Sequence, residues 1–407
     1  MDPDAEQLRP TPSGWGRYRR LAVHKQARRL LISGLVARLP LSMYGLAILL
    51  LVQQRSGGFT DAGLVAGAAA VGYAVGAPVA GRLVDRFGQT RTLRIGVVIN
   101  AAAFTALVVA AVTRWPLGAL TVCGTLVGVS LPPVAACQRS LWPLVLPEDP
   151  ELRQTALAVD AMSLDLFLIV GPAVVTILVA LVSPAATLAI VAGLLLVGTG
   201  WLSAQPHSRL ASPTAARRAG FTGPLRAASL RALLISIGAT GFALGALRIG
   251  LLGYAETHHH ITLGGLLFTM LGVGSLAAGL IYGAGTWRRP VVDRYPLLLA
   301  GFAVAVVPTA LPGPVVVMAV LAVLAGALLA PVTICEFTLI PSCAPPGTIT
   351  EANAWGIAAT FAGAAAGTAT AGPLVDATGW RAAVLAAVGA LLVAAMAGSR
   401  VRSTLSA

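Results

Sequence analysis

Apolar and polar positions follow each other along this chain in long blocks. Stretches of about 20 apolar residues, the length at which a helix crosses a bilayer core about 30 Å thick, recur through the whole sequence. Short polar or basic segments separate them. The pattern predicts twelve transmembrane helices, over residues 30–53, 62–82, 92–113, 118–141, 155–182, 184–204, 229–253, 262–285, 296–311, 314–341, 353–375 and 380–399.

Composition agrees with the hydropathy pattern and rules out an ordinary soluble domain. Hydrophobic residues make up 57% of the chain and charged residues 11%, against about 25% charged residues in a typical soluble domain. The formal net charge of +13 raises the question of a nucleic-acid partner. The positions of the basic residues decide against one, because they follow the topology of a membrane protein.

Basic residues concentrate in the segments that an even number of helices would place in the cytoplasm. The two tails and the alternate loops hold 23 of the 28 Lys and Arg residues, as the positive-inside bias requires. The N-terminal segment also lacks the small-residue cleavage site of a secretory signal. We therefore expect a multi-pass protein of the cell (inner or plasma) membrane, with both termini in the cytoplasm.

The chain divides almost in half at its longest internal polar break. Leu-Leu-Ile-Ser at residues 30–33 recurs 203 residues later, and the Gly-Pro pair at 171–172 recurs 201 residues later. Such a repeat indicates two six-helix bundles with a solute site between them near the midplane. The predicted organisation is a tail at 1–29, a first bundle at 30–204, a cytoplasmic linker at 205–228, a second bundle at 229–399 and a tail at 400–407.

The loop after the second predicted helix carries a distinctive motif, GRLVDRFGQTRTL at residues 81–93. It resembles the signature loop G-x-L-x-D-R-x-G-R-R of the major facilitator superfamily. Gln89 departs from that pattern, and Arg91 supplies a basic residue two positions later. The second half has no Asp at the corresponding place in residues 283–290. The matching positions are Gly81, Leu83, Asp85, Arg86 and Gly88.

The resemblance implies an all-α integral membrane fold of two six-helix bundles related by a pseudo-two-fold axis. It also implies alternating-access transport of a small molecule by a monomer, without a cofactor. Asp85 should contact the start of the eleventh helix, near Thr350 and Glu351, and hold the two halves shut on the cytoplasmic side. A helix N-terminus favours such a carboxylate. The alternative is a solvated charge cluster that only sets topology.

Gly171-Pro172 in the fifth helix resembles a motif of many antiporters and drug exporters in that superfamily. The fuller pattern has a paired glycine, which Ala173 and the valines after it replace here. The resemblance favours proton-coupled export by antiport over uptake by proton symport. The alternative for the Gly-Pro pair is a simple kink in the helix.

Charged residues within the apolar stretches are functional candidates, because each costs about 2.5–3.5 kcal/mol at membrane depth. Arg38 and Asp165 lie at similar predicted depths, about 12 and 15 Å into helices one and five. We expect them to form an ion pair that a helix movement separates, so that Asp165 takes up a proton. The alternative is a purely structural pair. The full set is Arg38, Arg139, Asp160, Asp165, Arg248 and Glu336.

Three of these charges lie near the predicted cytoplasmic ends of their helices. Asp160 and Arg139 are expected at the interface, where their side chains reach water. Glu336 has the apolar neighbours Cys335 and Phe337 in a helix expected to line the cavity. It is therefore the next candidate for the proton site after Asp165.

Other chemistries find no support in the sequence. It contains no Walker A loop, nucleophile elbow or H-E-x-x-H motif, which argues against ATP use and hydrolysis. His258, His259 and His260 fit a solvated external loop better than a metal or pH-sensing site. We expect no enzyme activity and no resident metal. A non-transporting receptor or scaffold remains the competing class.

Overall fold

The computed structural model describes residues 15–56, 59–210, 223–257 and 262–405, which form helices joined by turns. The three predicted external histidines lie outside these ranges. The helices are α1 (Trp15–Val23), α2 (Lys25–Ser56), α3 (Phe59–Phe87), α4 (Gln89–Val112), α5 (Leu117–Ser130), α6 (Val134–Val145), α7 (Pro150–Leu181), α8 (Pro184–Ala204), α9 (Pro206–Leu210), α10 (Ala228–Thr257), α11 (Thr262–Ala284), α12 (Val291–Val306), α13 (Val315–Gly326), α14 (Leu329–Cys343), α15 (Ile349–Thr378) and α16 (Trp380–Leu405).

The described helices make twelve membrane-crossing units, in agreement with the fold class predicted from the sequence. Ten segments are long and apolar enough to span a bilayer. In two of them a pair of helices, α5 with α6 and α13 with α14, shares one crossing. The other two units are α7 and α15, of 32 and 30 residues, or about 48 and 45 Å.

Helices four and ten are interrupted, which the hydropathy pattern did not predict. Helix four breaks at Pro132 and Pro133 between α5 and α6, because proline cannot donate the helical hydrogen bond. Helix ten breaks after Gly326, where a side chain would collide with the Leu271 backbone of α11. The second part of each crossing, α6 or α14, is mostly buried.

Several helices begin or end beyond the predicted boundaries. Helix one starts at Lys25, and α1 precedes it within the segment predicted as a polar tail. Helix five starts at Pro150, where the Asp149 carboxylate accepts a hydrogen bond of 2.8 Å from the Leu152 amide. Asp at the N-cap followed by Pro is a strong start signal. α16 continues to Leu405, into the predicted C-terminal tail.

Small residues bring the helices of each half together. In the N-terminal half, defined as α2–α8, Gly72 and Gly76 of α3 lie against the α5 backbone. In the C-terminal half, α10–α16, Gly241 and Gly245 of α10 lie against α15 in the same way. Close backbone approach of this kind is typical of helix packing in membranes, where dispersion contacts drive association.

Each half has its own hydrophobic core, and a small apolar patch joins the two. The patch contains Ala135 and Ala136 of α6 with Ala354 and Ile357 of α15. Large apolar side chains also cover the outside of the bundle, such as Val316, which is 74% exposed. An exposed apolar belt is what a bilayer solvates.

Candidate functional site

Three charged residues from three helices meet inside the N-terminal half. Arg38 of α2 forms an ion pair with the Asp160 carboxylate of α7. Arg139 of α6 donates from Nε to the second oxygen of the same carboxylate at 2.6 Å. All three are at most 3% exposed. We call Arg38, Arg139 and Asp160 the charged triad.

The expected partner of Arg38 was Asp165, and the structure places Asp160 there instead. The side chain of Asp165 lies outside the described residues. Helix five was predicted to start at residue 155. It starts at Pro150, which puts Asp160 about 15 Å into the helix. Asp160 and Arg139 are both buried, not interfacial as predicted.

Arg139 has further contacts across the boundary between the halves. Its Cζ lies 3.3 Å from the centroid of the Phe337 ring on α14, a cation–π contact. Its Nη1 and Nη2 atoms are buried and make no hydrogen bond to the described residues. Unpaired buried donors are rare, since each forgoes its interaction with water. The Phe337 contact was not predicted from the sequence.

Glu336 is buried among hydroxyl groups within the C-terminal half. The Tyr295 hydroxyl of α12 donates to Glu336 Oε1 at 3.2 Å and lies 2.7 Å from Ser236 Oγ of α10. Ser236 in turn donates to the Ala394 carbonyl at 2.8 Å. Glu336 has no ion-pair partner among the described residues. Its carboxyl group therefore points toward α10 and α12. This differs from the sequence-based prediction, in which it faces the cavity between the halves.

Arg248, the last intramembrane candidate, lies apart from the triad. It is exposed on α10, and its Cζ is 5.5 Å from the centroid of the Phe268 ring. The structure therefore places five of the six candidates: three in the triad, Glu336 apart from it in the C-terminal half, and Arg248 on the surface. The side chain of Asp165 lies outside the described residues.

Asp85 contacts the N-terminus of α15, as the motif suggested. Its two carboxylate oxygens accept hydrogen bonds from the backbone amides of Thr350, at 3.2 Å, and Glu351, at 2.8 Å. These amides have no acceptor within their own helix. A Cβ atom at Gly81 would lie 3.0 Å from atoms of Thr350, Glu351 and Ala354. The motif thus joins α3 of one half to α15 of the other.

The rest of the motif shapes the turn into α4. Gly88 has a φ of 86°, a conformation that favours glycine. Arg86 lies over the Phe87 ring, with 5.2 Å between Cζ and the centroid. Arg91 is exposed at the start of α4. We call the end of the bundle that carries Asp85 and the first turns of α7 and α15 the motif face.

A second contact between the halves at the motif face comes from α1, within the segment predicted as a tail. Arg17 is 1% exposed and donates to Glu151 of α7 at 2.7 Å and to the Gly285 carbonyl after α11 at 2.9 Å. The Tyr18 hydroxyl donates to the Leu280 carbonyl at 2.7 Å. Burial raises the pKa of Tyr18 to about 12, so the hydroxyl remains a donor at neutral pH.

Direct contacts between α7 and α11 complete this closure. Thr155 donates to the Gly283 carbonyl at 2.8 Å, and Met162 packs against Gly279. Farther along α7, Pro172 lies within the helix, and Gly171 packs against Ser42 of α2. The motif face is therefore closed by α3 with α15 on one side and by α1, α7 and α11 on the other.

Asp85→Asn is expected to open the motif face without unfolding the protein. An amide loses most of the charge that the α15 N-terminus stabilises, so the population shifts toward open states by about 1–3 kcal/mol. The test is thiol labelling of a cysteine at Ala354, which is buried between the halves, after the native cysteines are replaced by serine. Asp376→Asn, on α15 but far from the motif, is the control. Equal labelling with and without Asp85→Asn would contradict a role of Asp85 in closing the motif face. It would favour the alternative in which Asp85 only helps to set the membrane topology.

Comparisons with known proteins agree with this architecture. The family model described as Major Facilitator Superfamily matches residues 30–292. An uncharacterised MFS-type transporter, y4rN of Sinorhizobium fredii, is 28% identical over 379 residues, which cover 88% of this chain and 90% of that protein.

Two solved structures share the fold at low sequence identity. A bacterial homologue of the iron transporter ferroportin, in an outward-facing state, has a TM-score of 0.70 at 17% identity, covering 92% of this chain and 99% of that one. The Escherichia coli fucose:proton symporter, solved as a point variant, has a TM-score of 0.68 at 16% identity, with the same coverages. The chain belongs to the major facilitator superfamily and is a multi-pass membrane transporter, not an enzyme.

Proposed function

We propose that this chain is a proton-coupled secondary transporter of a small organic molecule, which works by alternating access between its two halves. The observation that carries the proposal is Glu336, a buried carboxyl group that forms no ion pair with the described residues and is one residue from the Phe337 contact with the charged triad. A proton at Glu336 and a movement at the junction of the halves would therefore affect each other. Export by antiport is the mode we propose first.

The motif face is assigned to the cytoplasm. Arg17, Arg20, Arg86 and Arg91 lie at or near this face, and the basic tails belong to the same side under the positive-inside bias. Both termini are then cytoplasmic, and the protein is placed in the cell membrane as a monomer. The proposed transporting units are the bundles at 30–204 and 229–399, with residues 205–228 as linker.

Glu336 is a better proton carrier than Asp160. Two guanidinium groups hold Asp160, so binding a proton there would disrupt two charge-assisted hydrogen bonds. Glu336 has only hydroxyl partners. Because the Ser236 proton is used by the Ala394 carbonyl, one Tyr295 proton must serve both Ser236 and Glu336. If Glu336 carried a proton, it could donate to Tyr295. Tyr295 could then donate to Ser236, and Ser236 could donate to the Ala394 carbonyl. Each of the three hydrogen bonds would then have its own proton.

Two modes of coupling fit this arrangement. Gly171-Pro172 in α7 supports export by antiport through its resemblance to the exporter motif. The charge of the triad supports the second candidate, proton symport in the uptake direction, because two arginines against one carboxylate attract an anion. The fold itself is compatible with symport, since the fucose:proton symporter shares it.

A solute screen followed by transport in proteoliposomes tests the proposal. Ligands are found by thermal shift of the purified protein and are then loaded into vesicles with an imposed pH gradient. Antiport predicts that the solute accumulates on the more acidic side, and symport predicts the more alkaline side. Downhill movement unaffected by the pH gradient would contradict proton coupling. Ligand binding with no movement at all would favour the receptor or scaffold class.

A further inference from the structure

Arg139 offers two hydrogen-bond donors that nothing in the described structure accepts. Its Nε is used by Asp160 at 2.6 Å, whereas Nη1 and Nη2 are buried without a partner. A guanidinium presents these two nitrogens as a fork. The two free nitrogens are spaced to match the two oxygens of a carboxylate, which arginine binds through two parallel hydrogen bonds.

The charge of the surroundings points to the same kind of ligand. The triad contains two guanidinium groups and one carboxylate, so it has one positive charge in excess. An uncompensated charge in a buried place is costly. A monovalent anion bound at Arg139 would neutralise the triad and provide acceptors for both free nitrogens.

The described groups near the Arg139 guanidinium are aromatic. Phe337 covers the face of the guanidinium from the other half at 3.3 Å. Tyr73 of α3 packs with the apolar patch between the halves and with the Phe361 ring, whose centroid is 6.2 Å from that of Tyr73. These groups fit an organic acid with an apolar or aromatic body better than an inorganic ion.

We infer that Arg139 is the binding site for the carboxylate of an organic anion, which the transporter carries. The inference rests on the proposed transport function and names its substrate class. Phe337 belongs to the opposite half, so separation of the halves at the motif face would uncover the two Nη atoms. A bound anion and a proton on Glu336 would together balance the local charge, which favours the symport candidate.

Equilibrium binding to the purified full chain tests this inference. The probes are acetate, benzoate and 2-naphthoate, each compared with its neutral amide. In wild type, at least one carboxylate should bind about 10- to 100-fold more tightly than its amide, as expected for a charge-assisted pair. Arg139→Gln should abolish this preference. Arg248→Gln, an arginine outside the triad, should retain it.

Arg139→Lys covers the case in which the glutamine variant does not fold. It keeps the charge but lacks the fork, and should reduce the preference by about tenfold. The inference is overturned if no wild-type carboxylate exceeds its amide, or if the preference survives in both Arg139 variants. Transport without a carboxylate preference would overturn the inference alone. Carboxylate preference without any transport would contradict the proposed function alone.

Discussion

Asp160→Asn is expected to lower the free energy of unfolding by about 3–5 kcal/mol, the loss typical of a buried ion pair with one partner removed. Asp160 is the carboxylate that compensates both Arg38 and Arg139. The variant leaves two buried positive charges side by side, and an amide cannot neutralise them. Denaturation of the detergent-solubilised protein, followed by tryptophan fluorescence, would measure the loss.

A matched control for this variant exists at the surface. Asp293→Asn breaks the pair with Arg402, in which the distance is 2.8 Å and the side chains are 33% and 61% exposed. That change should cost less than about 1 kcal/mol, because solvent screens exposed pairs. Replacing the whole triad by Leu and Met should restore stability but not transport. Similar losses for Asp160→Asn and Asp293→Asn would show that the triad does not stabilise the fold.

Glu336→Gln is expected to abolish uphill accumulation while leaving downhill exchange of the same solute measurable. Glutamine fills the same space and accepts the Tyr295 hydrogen bond, so the fold and the solute site should survive. It cannot take up or release a proton, which removes the link between the pH gradient and the solute. Proteoliposome assays with and without a pH gradient separate the two activities.

Two further variants test whether the loss of uphill transport in Glu336→Gln is due to the loss of the titratable carboxyl group. Tyr295→Phe removes the hydrogen bond but leaves the carboxyl group, and it should retain uphill transport with an altered pH profile. Glu256→Gln, at the exposed end of α10, should behave as wild type. Gradient-driven accumulation by Glu336→Gln with unaltered pH dependence would contradict the proposed role of this residue.

The fold could be predicted because it depends mainly on the long apolar blocks of the sequence. Apolar blocks of membrane-spanning length need no tertiary information, and the motif at residues 81–93 has a fixed place between two helices. The partner of Asp85 followed from the same information, since the free amides at the start of α15 attract a carboxylate.

Residue pairs inside the membrane were harder to predict, because they depend on helix starts to within one turn. The Asp149-Pro150 start signal lies before the apolar stretch, so hydropathy alone began helix five too late and selected Asp165 over Asp160. The Phe337 contact depends on the interruption of helix ten after Gly326. The contacts of α1 connect residues far apart in sequence, so the pattern within this short helix does not predict them.

The most direct test of the central claim, that a proton on Glu336 is tied to the closure of the motif face, is a distance measurement across that face. Spin labels at Phe87 of α3 and Ser342 of α14, in a protein whose native cysteines are replaced by serine, would report the separation of the halves. In the closed structure Glu336 is only 3% exposed, and ionising it there costs hydration. Because Glu336 is next to Phe337, which contacts Arg139 of the other half, we expect deprotonation to weaken that contact and favour open states.

We predict one short distance at acid pH and a second, longer population at alkaline pH in the wild type. Glu336→Gln should show the short distance at both. Distances that do not change with pH in the wild type, or that change equally in Glu336→Gln, would contradict the account.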